Sequence, residues 1–115
     1  MNQIFKIEDL RPIRSGMTVS RDSKLGITNK VTYFSMGDDT SISQESYDRM
    51  TMYIGAAGCG AFIIGENQSI VTMEPGQVLL VTSKTLCGMQ TSTGMVYTEI
   101  ILDKENTLNN NIKAN

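Results

Sequence analysis

The stretch SIVTMEPGQVLLV at residues 69–81 decides the fold, because it joins two apolar, β-branched segments through a tight turn. EPG at residues 74–76 is the turn signal: proline fixes φ near the value that a turn needs, and glycine permits a positive φ. The flanking segments suit a pleated surface. The stretch therefore predicts one strand at 69–73 and a second strand at 77–81.

Strand signals continue on both sides of this stretch. KVTYFSM at 30–36 alternates its side chains between two faces, as a strand does. Further strands are predicted at 50–54, 61–64 and 94–102, and GENQ at 65–68 is a turn signal. Strands recur about every ten residues with turn residues between them, and no segment keeps a helical spacing. This spacing predicts an all-β sandwich or barrel.

The length of 115 residues fits a single domain. Residues 1–30 are predicted to pack on the sheet or on a dimer partner, residues 31–102 to form the barrel, and residues 103–115 to be a polar tail. GAAGCG at 55–60 predicts a tight turn, or a place where backbones or a ligand approach closely. Residues 2–13 are too apolar for a free tail, so we expect a homodimer with this segment docked on a sheet.

The chain contains no histidine. Imidazole is the usual ligand of zinc, iron and copper and the usual general base at neutral pH, so catalytic triads and histidine metal sites are excluded. The net charge is −2 and the basic residues are scattered, which argues against nucleic acid and membrane as partners. The sequence shows no signal peptide and no membrane-length apolar run, and its two cysteines are expected to be free thiols. These features predict a soluble, cytoplasmic protein.

The spacing beyond the turn resembles the second motif of the cupin superfamily, G-x5-P-x-G-x2-H-x3-N. The match begins at Gly76 and the apolar strand QVLLV. It continues with Thr82-Ser83-Lys84 in the place of P-x-G, Cys87 in the place of histidine and Thr91 in the place of asparagine.

The first cupin motif, G-x5-H-x-H-x3,4-E-x6-G, is harder to place. Its residues are Asp39 for the first glycine, Glu45 and Tyr47 for the two histidines, Thr51 for the glutamate and Gly58 for the closing glycine. Gly37 is a competing anchor that shifts this alignment by two residues. The resemblance assigns Glu45, Tyr47, Thr51 and Cys87 to positions that bind metal in a typical cupin. None has its usual identity, so we expect no metal and no other cofactor.

The resemblance implies an antiparallel double-stranded β-helix, a jelly-roll barrel of six or eight strands with a cavity at its mouth. In that barrel Glu45, Tyr47, Thr51 and Cys87 are expected to line one cavity and to orient a small polar ligand by hydrogen bonds. Each also has a simpler interpretation: a solvated carboxylate, a packing tyrosine, a strand-forming threonine and a small buried thiol. A zinc or copper site at Cys87 and Glu45 is disfavoured, because two protein ligands make a weak site.

Three functions are compatible with these residues. The leading prediction is a metal-independent, cupin-like small-molecule-binding or accessory protein without catalysis of its own. The alternative is a metal-free isomerase or lyase in which Glu45 is the general base and Tyr47 the acid. The third is a structural subunit of an oligomer. Residues that converge on an open cavity favour the first two functions, and a plugged core favours the third.

Overall fold

The computed structural model describes residues 15–22 and 29–102, and these residues form nine strands. The strands are β1 (Thr18–Asp22), β2 (Lys30–Met36), β3 (Thr40–Glu45), β4 (Thr51–Gly58), β5 (Gly60–Ile64), β6 (Ser69–Met73), β7 (Val78–Val81), β8 (Cys87–Thr91) and β9 (Met95–Ile101). Within these ranges, no helix is long and apolar enough to cross a membrane.

The nine strands pack as two antiparallel sheets. One sheet has the order β1-β2-β9-β4-β7 and the other has the order β3-β8-β5-β6. The turn at Glu74 carries the chain from the four-stranded sheet into the five-stranded one: the Gln77 N–H donates to the Glu74 carbonyl at 3.1 Å, and Gly76 has a φ of +85°. The all-β, antiparallel jelly-roll prediction is confirmed.

Two predicted strands, Lys30–Met36 and Ser69–Met73, have the bounds that the sequence predicted. Four others are present with ends that differ by one to a few residues. The strands β1, β3 and β8 were not predicted, because they are rich in polar residues. Residues 2–13, expected to dock on a sheet, and the tail at 103–115 lie outside the described residues.

The small-residue run at 55–60 is a close backbone approach and not a separate turn, since β4 continues to Gly58. The backbone of Gly55 is held by the turn that follows β6: its N–H donates to the Gln77 carbonyl, and its carbonyl accepts from the Gly76 N–H, both at 2.9 Å. A Cβ at position 55 would lie 2.5 Å from the Glu74 carbonyl oxygen. Only glycine fits this contact without a shift of the backbone.

The core lies between the two sheets and is built around aromatic rings. Tyr53 and Phe62 have ring centroids 4.8 Å apart, and Phe62 and Tyr97 have centroids 5.4 Å apart in an edge-on arrangement. All three side chains are at most 1% exposed. Aromatic pairs of this kind contribute about 0.5–1.5 kcal/mol beyond the area they bury. The rings therefore fix the two sheets against each other and hold the Tyr53 hydroxyl in place.

Candidate functional site

A cavity of about 170 Å³ lies between the sheets, near the end of the barrel where β3 ends and β8 begins. We call it the barrel cavity. Its polar lining residues are Ser43, Glu45, Tyr47, Tyr53, Cys87 and Glu99, and its apolar ones are Phe34, Ile42 and Met89. These residues come from strands of both sheets and from the β3–β4 connection, so the cavity belongs to the barrel interior.

The cavity brings together three of the four residues that the sequence predicted. Glu45 is the last residue of β3 and is exposed, which places it at the rim. Tyr47 follows two residues later and is half-buried. Cys87 is 6% exposed and lies opposite Glu45 in the β3–β8 ladder. The second-motif alignment thus places Cys87 at an inward position, as a cupin-like barrel requires.

Thr51 lies elsewhere in the core. It begins β4 between Val81 and Ile101, is 2% exposed, and its hydroxyl donates to the Arg49 carbonyl at 3.4 Å. It does not line the barrel cavity, which differs from the expectation. The reason is its place at the very start of the strand, where the side chain packs against neighbouring strand ends. Tyr53, on the same face two residues later, reaches the cavity.

Glu99 of β9 is the buried polar group of the barrel cavity. The residue is 4% exposed, and its Oε2 accepts hydrogen bonds from the Tyr53 hydroxyl at 3.0 Å and the Tyr47 hydroxyl at 3.4 Å. Both hydroxyls share this one oxygen. Among the described residues, no donor reaches the other oxygen, Oε1.

The pKa values in the cavity follow from burial. Burial raises the pKa of Glu99, and the hydrogen bonds from Tyr53 and Tyr47 act in the opposite direction. Burial also raises the pKa of Tyr47 to about 12, and the negative charges of Glu99 and Glu45 add to this effect. The pKa of Tyr53 is raised by burial and then by Glu99. Both phenols therefore stay protonated near neutral pH and act as donors.

Cys87 is a neutral thiol in this environment. Burial raises the pKa of Cys87 to about 11, a hydrogen bond from Tyr53 acts against the rise, and the charge of Glu99 adds to it. The carboxylate that acts is Glu99, because it is enclosed with the thiol while Glu45 lies at the exposed rim.

A wider groove of about 550 Å³ lies at the other end of the four-stranded sheet. The exposed Cys59 lines it together with small neutral side chains such as Thr40, Ala61 and Thr72. Among the residues that the structure describes, the charged side chain that lines this groove is Asp39, which is exposed. The barrel cavity is therefore the better candidate site.

Comparison with solved structures identifies the architecture. A cupin superfamily protein from Desulfitobacterium hafniense has a TM-score of 0.79 at 18% identity, over 90% of this chain and 94% of that chain. The chain has the cupin fold. A protein with a double-stranded β-helix domain from Klebsiella pneumoniae has a TM-score of 0.75 at 10% identity, over 88% of this chain and 90% of that chain.

The cupin fold also occurs in proteins with a stated activity. A polyketide cyclase from Streptomyces resistomycificus has a TM-score of 0.71 at 12% identity, over 88% of this chain and 79% of that chain. No family model matches the sequence, and no curated protein matches it significantly. Identities this low carry the fold and not the activity. The resemblance inferred from the turn and the second motif is confirmed at the level of the fold.

The residues of this cupin barrel do not fit the metal that cupins commonly hold. The described residues contain no cluster of three histidine, cysteine, aspartate or glutamate side chains that could hold an ion. A cysteine ligand must be a thiolate, yet the pKa of Cys87 is raised to about 11 by burial. Glu99 already accepts two hydroxyl donors. No chemical step through a metal is derived for this site.

Sequence reasoning missed Glu99 and Tyr53, although the sequence carried a signal for the first. Alternation along MVYTEII of β9 places Glu99 on the same face as Met95, Tyr97 and Ile101. A carboxylate among such inward residues is rare without a partner. A charged residue at an inward-facing position of β9 could therefore be recognised from the sequence alone. Tyr53 carried no such signal, because a tyrosine in a strand is ordinary.

Proposed function

We propose that this cupin binds a small molecule in the barrel cavity, without a metal and without catalysis of its own. One observation carries the proposal: a carboxyl group that is 4% exposed lines a cavity between two sheets and is held by two tyrosine hydroxyls. Burying a carboxyl group costs free energy unless hydrogen bonds or an opposite charge compensate it. Its presence in a barrel interior therefore favours a role in binding a ligand. Small-molecule sites commonly combine apolar walls with a few oriented polar groups.

The chemistry of the donors supports metal independence. The chain has no histidine, and the cavity thiol is protonated at neutral pH because burial raises its pKa to about 11. Hydrogen bonds and apolar contacts then remain as the means of holding a ligand. The apolar part of the wall is supplied by Phe34, Ile42 and Met89.

A metal-free isomerase or lyase is the second candidate. Glu45 is exposed at the rim of the cavity, and the pKa of Tyr47 is raised to about 12, so Tyr47 is a poor acid near neutral pH. Glu99 is the better general base, since burial raises its pKa from the ordinary range of a carboxyl. Solved structures with this fold include a polyketide cyclase and DMSP lyases by their names. Turnover of a bound ligand would favour this candidate over binding alone.

The binding proposal is tested by filling the cavity. Ile42→Phe adds bulk inside the cavity, and Ile70→Phe adds the same bulk on the same sheet at a side chain that is 66% exposed. Ligand-observed NMR with isoamylamine, isoamyl alcohol and isovalerate, which share one carbon skeleton, reports binding. We expect at least one probe to bind the wild type and Ile70→Phe, and to lose binding in Ile42→Phe. Binding that survives Ile42→Phe, or no binding by any probe at millimolar concentration, overturns the proposal.

Location and assembly belong to the same proposal. We place the protein in the cytoplasm and expect it to form a homodimer. The exposed Val78 and Leu80, on edge strand β7, offer an apolar surface for a second chain. Cell fractionation tests the location, and light scattering tests the assembly. A structural subunit of an oligomer, the third candidate, predicts assembly with no ligand in the cavity.

A further inference from the structure

The charge balance of the barrel cavity selects the class of its ligand. Two carboxyl groups line the cavity, Glu99 inside and Glu45 at the rim, and none of the described lining residues is basic. An anionic ligand would therefore meet repulsion from both. A buried carboxylate is stabilised by a counter-charge or by donors to both of its oxygens. The structure supplies donors for one oxygen, and the charge of Lys30 on β2 lowers the pKa of Glu99 less than either hydrogen bond does.

The second oxygen of Glu99, Oε1, indicates where a ligand group would lie. Tyr53 and Tyr47 both donate to Oε2 of Glu99, at 3.0 Å and 3.4 Å. No described residue donates to Oε1, and the Glu99 side chain is 4% exposed and lines the cavity. A ligand with an N–H or O–H group at this point would complete the hydrogen bonds of the carboxylate.

Three aromatic rings, Phe34, Tyr47 and Tyr53, also line the cavity. The faces of such rings attract cations, and the attraction grows when water is excluded. A cationic head group would therefore gain from the carboxylate and from the rings together. A neutral donor would gain from the carboxylate alone, and with the weaker hydrogen bond.

We propose that the barrel cavity binds a small aliphatic ammonium ion that donates its N–H groups to Oε1 of Glu99. This inference rests on the proposed function, since it specifies the ligand of the same cavity. The short alkyl part of the ligand packs against Ile42 and Met89. A cavity of about 170 Å³ limits the ligand to a few non-hydrogen atoms beyond the ammonium group.

The three isoamyl probes separate charge from shape. Isoamylamine is a cation near neutral pH, isoamyl alcohol is its neutral counterpart, and isovalerate is the anion. We expect the amine to bind at least about tenfold more tightly than the alcohol, as a charge-assisted hydrogen bond allows, and the anion not to bind. Isothermal titration measures the three affinities on the unmodified protein.

Two variants locate the charge that matters. Glu99→Gln keeps the shape of the side chain and should reduce amine affinity to that of the alcohol, while alcohol binding stays within about twofold. Glu66→Gln is the matched control: it removes an exposed carboxylate that does not line the cavity and should change amine affinity by no more than about twofold. Circular dichroism checks that each variant keeps its strands. If Glu99→Gln fails to fold, the affinities of the three probes for the wild type decide the question.

The pH dependence gives a second readout on the wild type. The titratable and charged groups around Glu99 are Lys30 on β2, Glu45 on β3, Tyr47 in the β3–β4 connection, Tyr53 on β4 and Cys87 on β8. Both phenols and the thiol have raised pKa values and are already protonated near neutral pH, so proton uptake by Glu99 is the change that the pH dependence reports. Amine binding should weaken as Glu99 takes up its proton, while alcohol binding should change little.

The outcomes separate this inference from the proposed function. Equal binding of the amine and the alcohol, with both lost in Ile42→Phe, overturns the ammonium ligand and leaves the binding cavity in place. Amine binding that is unchanged in Glu99→Gln also overturns it. Failure of all three probes to bind overturns both.

Discussion

Tyr53→Phe isolates the hydrogen bond on which the candidate site depends. The change removes one hydroxyl and keeps the ring, so the contacts with Phe62 at 4.8 Å and Tyr97 at 5.9 Å persist. The lost bond joins the hydroxyl to Glu99 at 3.0 Å in a buried environment. A hydrogen bond to a charged group contributes about 1.5–3 kcal/mol, so we expect the free energy of unfolding to fall by that amount where Glu99 is ionised.

Tyr47→Phe is the matched comparison. Its hydroxyl donates to the same oxygen of Glu99 at 3.4 Å, and Tyr47 is only half-buried. In the variant, a water molecule can take over much of the hydrogen bonding that the Tyr47 hydroxyl gives to Glu99. We expect a loss of about 0.5–1 kcal/mol, clearly smaller than that of Tyr53→Phe.

The pH dependence of the Tyr53→Phe effect has a definite sign. Burial raises the pKa of Glu99 in the folded state, so folding is favoured below the pKa of an unfolded glutamate and loses stability as pH rises through the raised pKa. Removing a donor to the carboxylate raises that pKa further. The difference in the free energy of unfolding between wild type and Tyr53→Phe should therefore increase as the pH rises. In acid it should fall to about 1 kcal/mol, the contribution of a hydrogen bond to a neutral group.

Urea unfolding followed by circular dichroism, from about pH 4 to pH 8, measures these differences. A double-mutant cycle with Glu99→Gln should give a coupling energy of about 1 kcal/mol or more at the upper end of the range. The reasoning is refuted if Tyr53→Phe and Tyr47→Phe cost the same, or if the Tyr53→Phe loss does not change with pH.

Further expectations follow from the same environment. The wild type should lose stability relative to Glu99→Gln as pH rises from the pKa of an unfolded glutamate through the raised pKa of Glu99; urea unfolding at several pH values checks this. Iodoacetamide should modify Cys87 far more slowly than the exposed Cys59, and Glu99→Gln should speed the reaction at Cys87, as peptide mass spectrometry would report. Untagged protein should carry less than about a tenth of an equivalent of transition metal by elemental analysis. Light scattering at micromolar concentration should give twice the mass of one chain.

Each of these measurements has its own control. Glu45→Gln should leave the alkylation rate of Cys87 nearly unchanged, because Glu45 is exposed and the carboxylate that raises the pKa of Cys87 is Glu99. In denatured protein Cys59 and Cys87 should react alike. A stoichiometric metal that survives dialysis would contradict the account of the donors. A single-chain mass in solution would contradict the dimer.

Strands rich in β-branched and apolar residues were predictable from the sequence, and the more polar strands were not, although β8 supplies Cys87 and Met89 to the core. Lys30–Met36 and Ser69–Met73 combine β-branched residues with alternation, so their bounds could be predicted. TSISQE of β3 and CGMQT of β8 carry few apolar side chains, and their pairing depends on neighbours distant in sequence. Local patterns do not contain that information.

The candidate site divides in the same way. The spacing from the EPG turn predicted that Cys87 lies inside the barrel. This spacing spans only β7 and the short connection between β7 and β8. Thr51 was placed by an alignment that spans the β3–β4 connection, where no pattern fixes the register. Glu99 was overlooked because residues were sought at motif positions, although its place among inward residues of β9 marked it.

The contact between Gly55 and the turn at residues 74–76 has a consequence for how this branch of the fold can evolve. Any side chain at position 55 would meet the Glu74 carbonyl oxygen at 2.5 Å, while both backbone groups of Gly55 are engaged by the turn. The glycine and the turn should therefore be inherited as a pair and change together. A profile that scores each position independently discards this covariation. A search that requires glycine and the EPG turn together, about twenty residues apart, should recover relatives that share this barrel at very low identity.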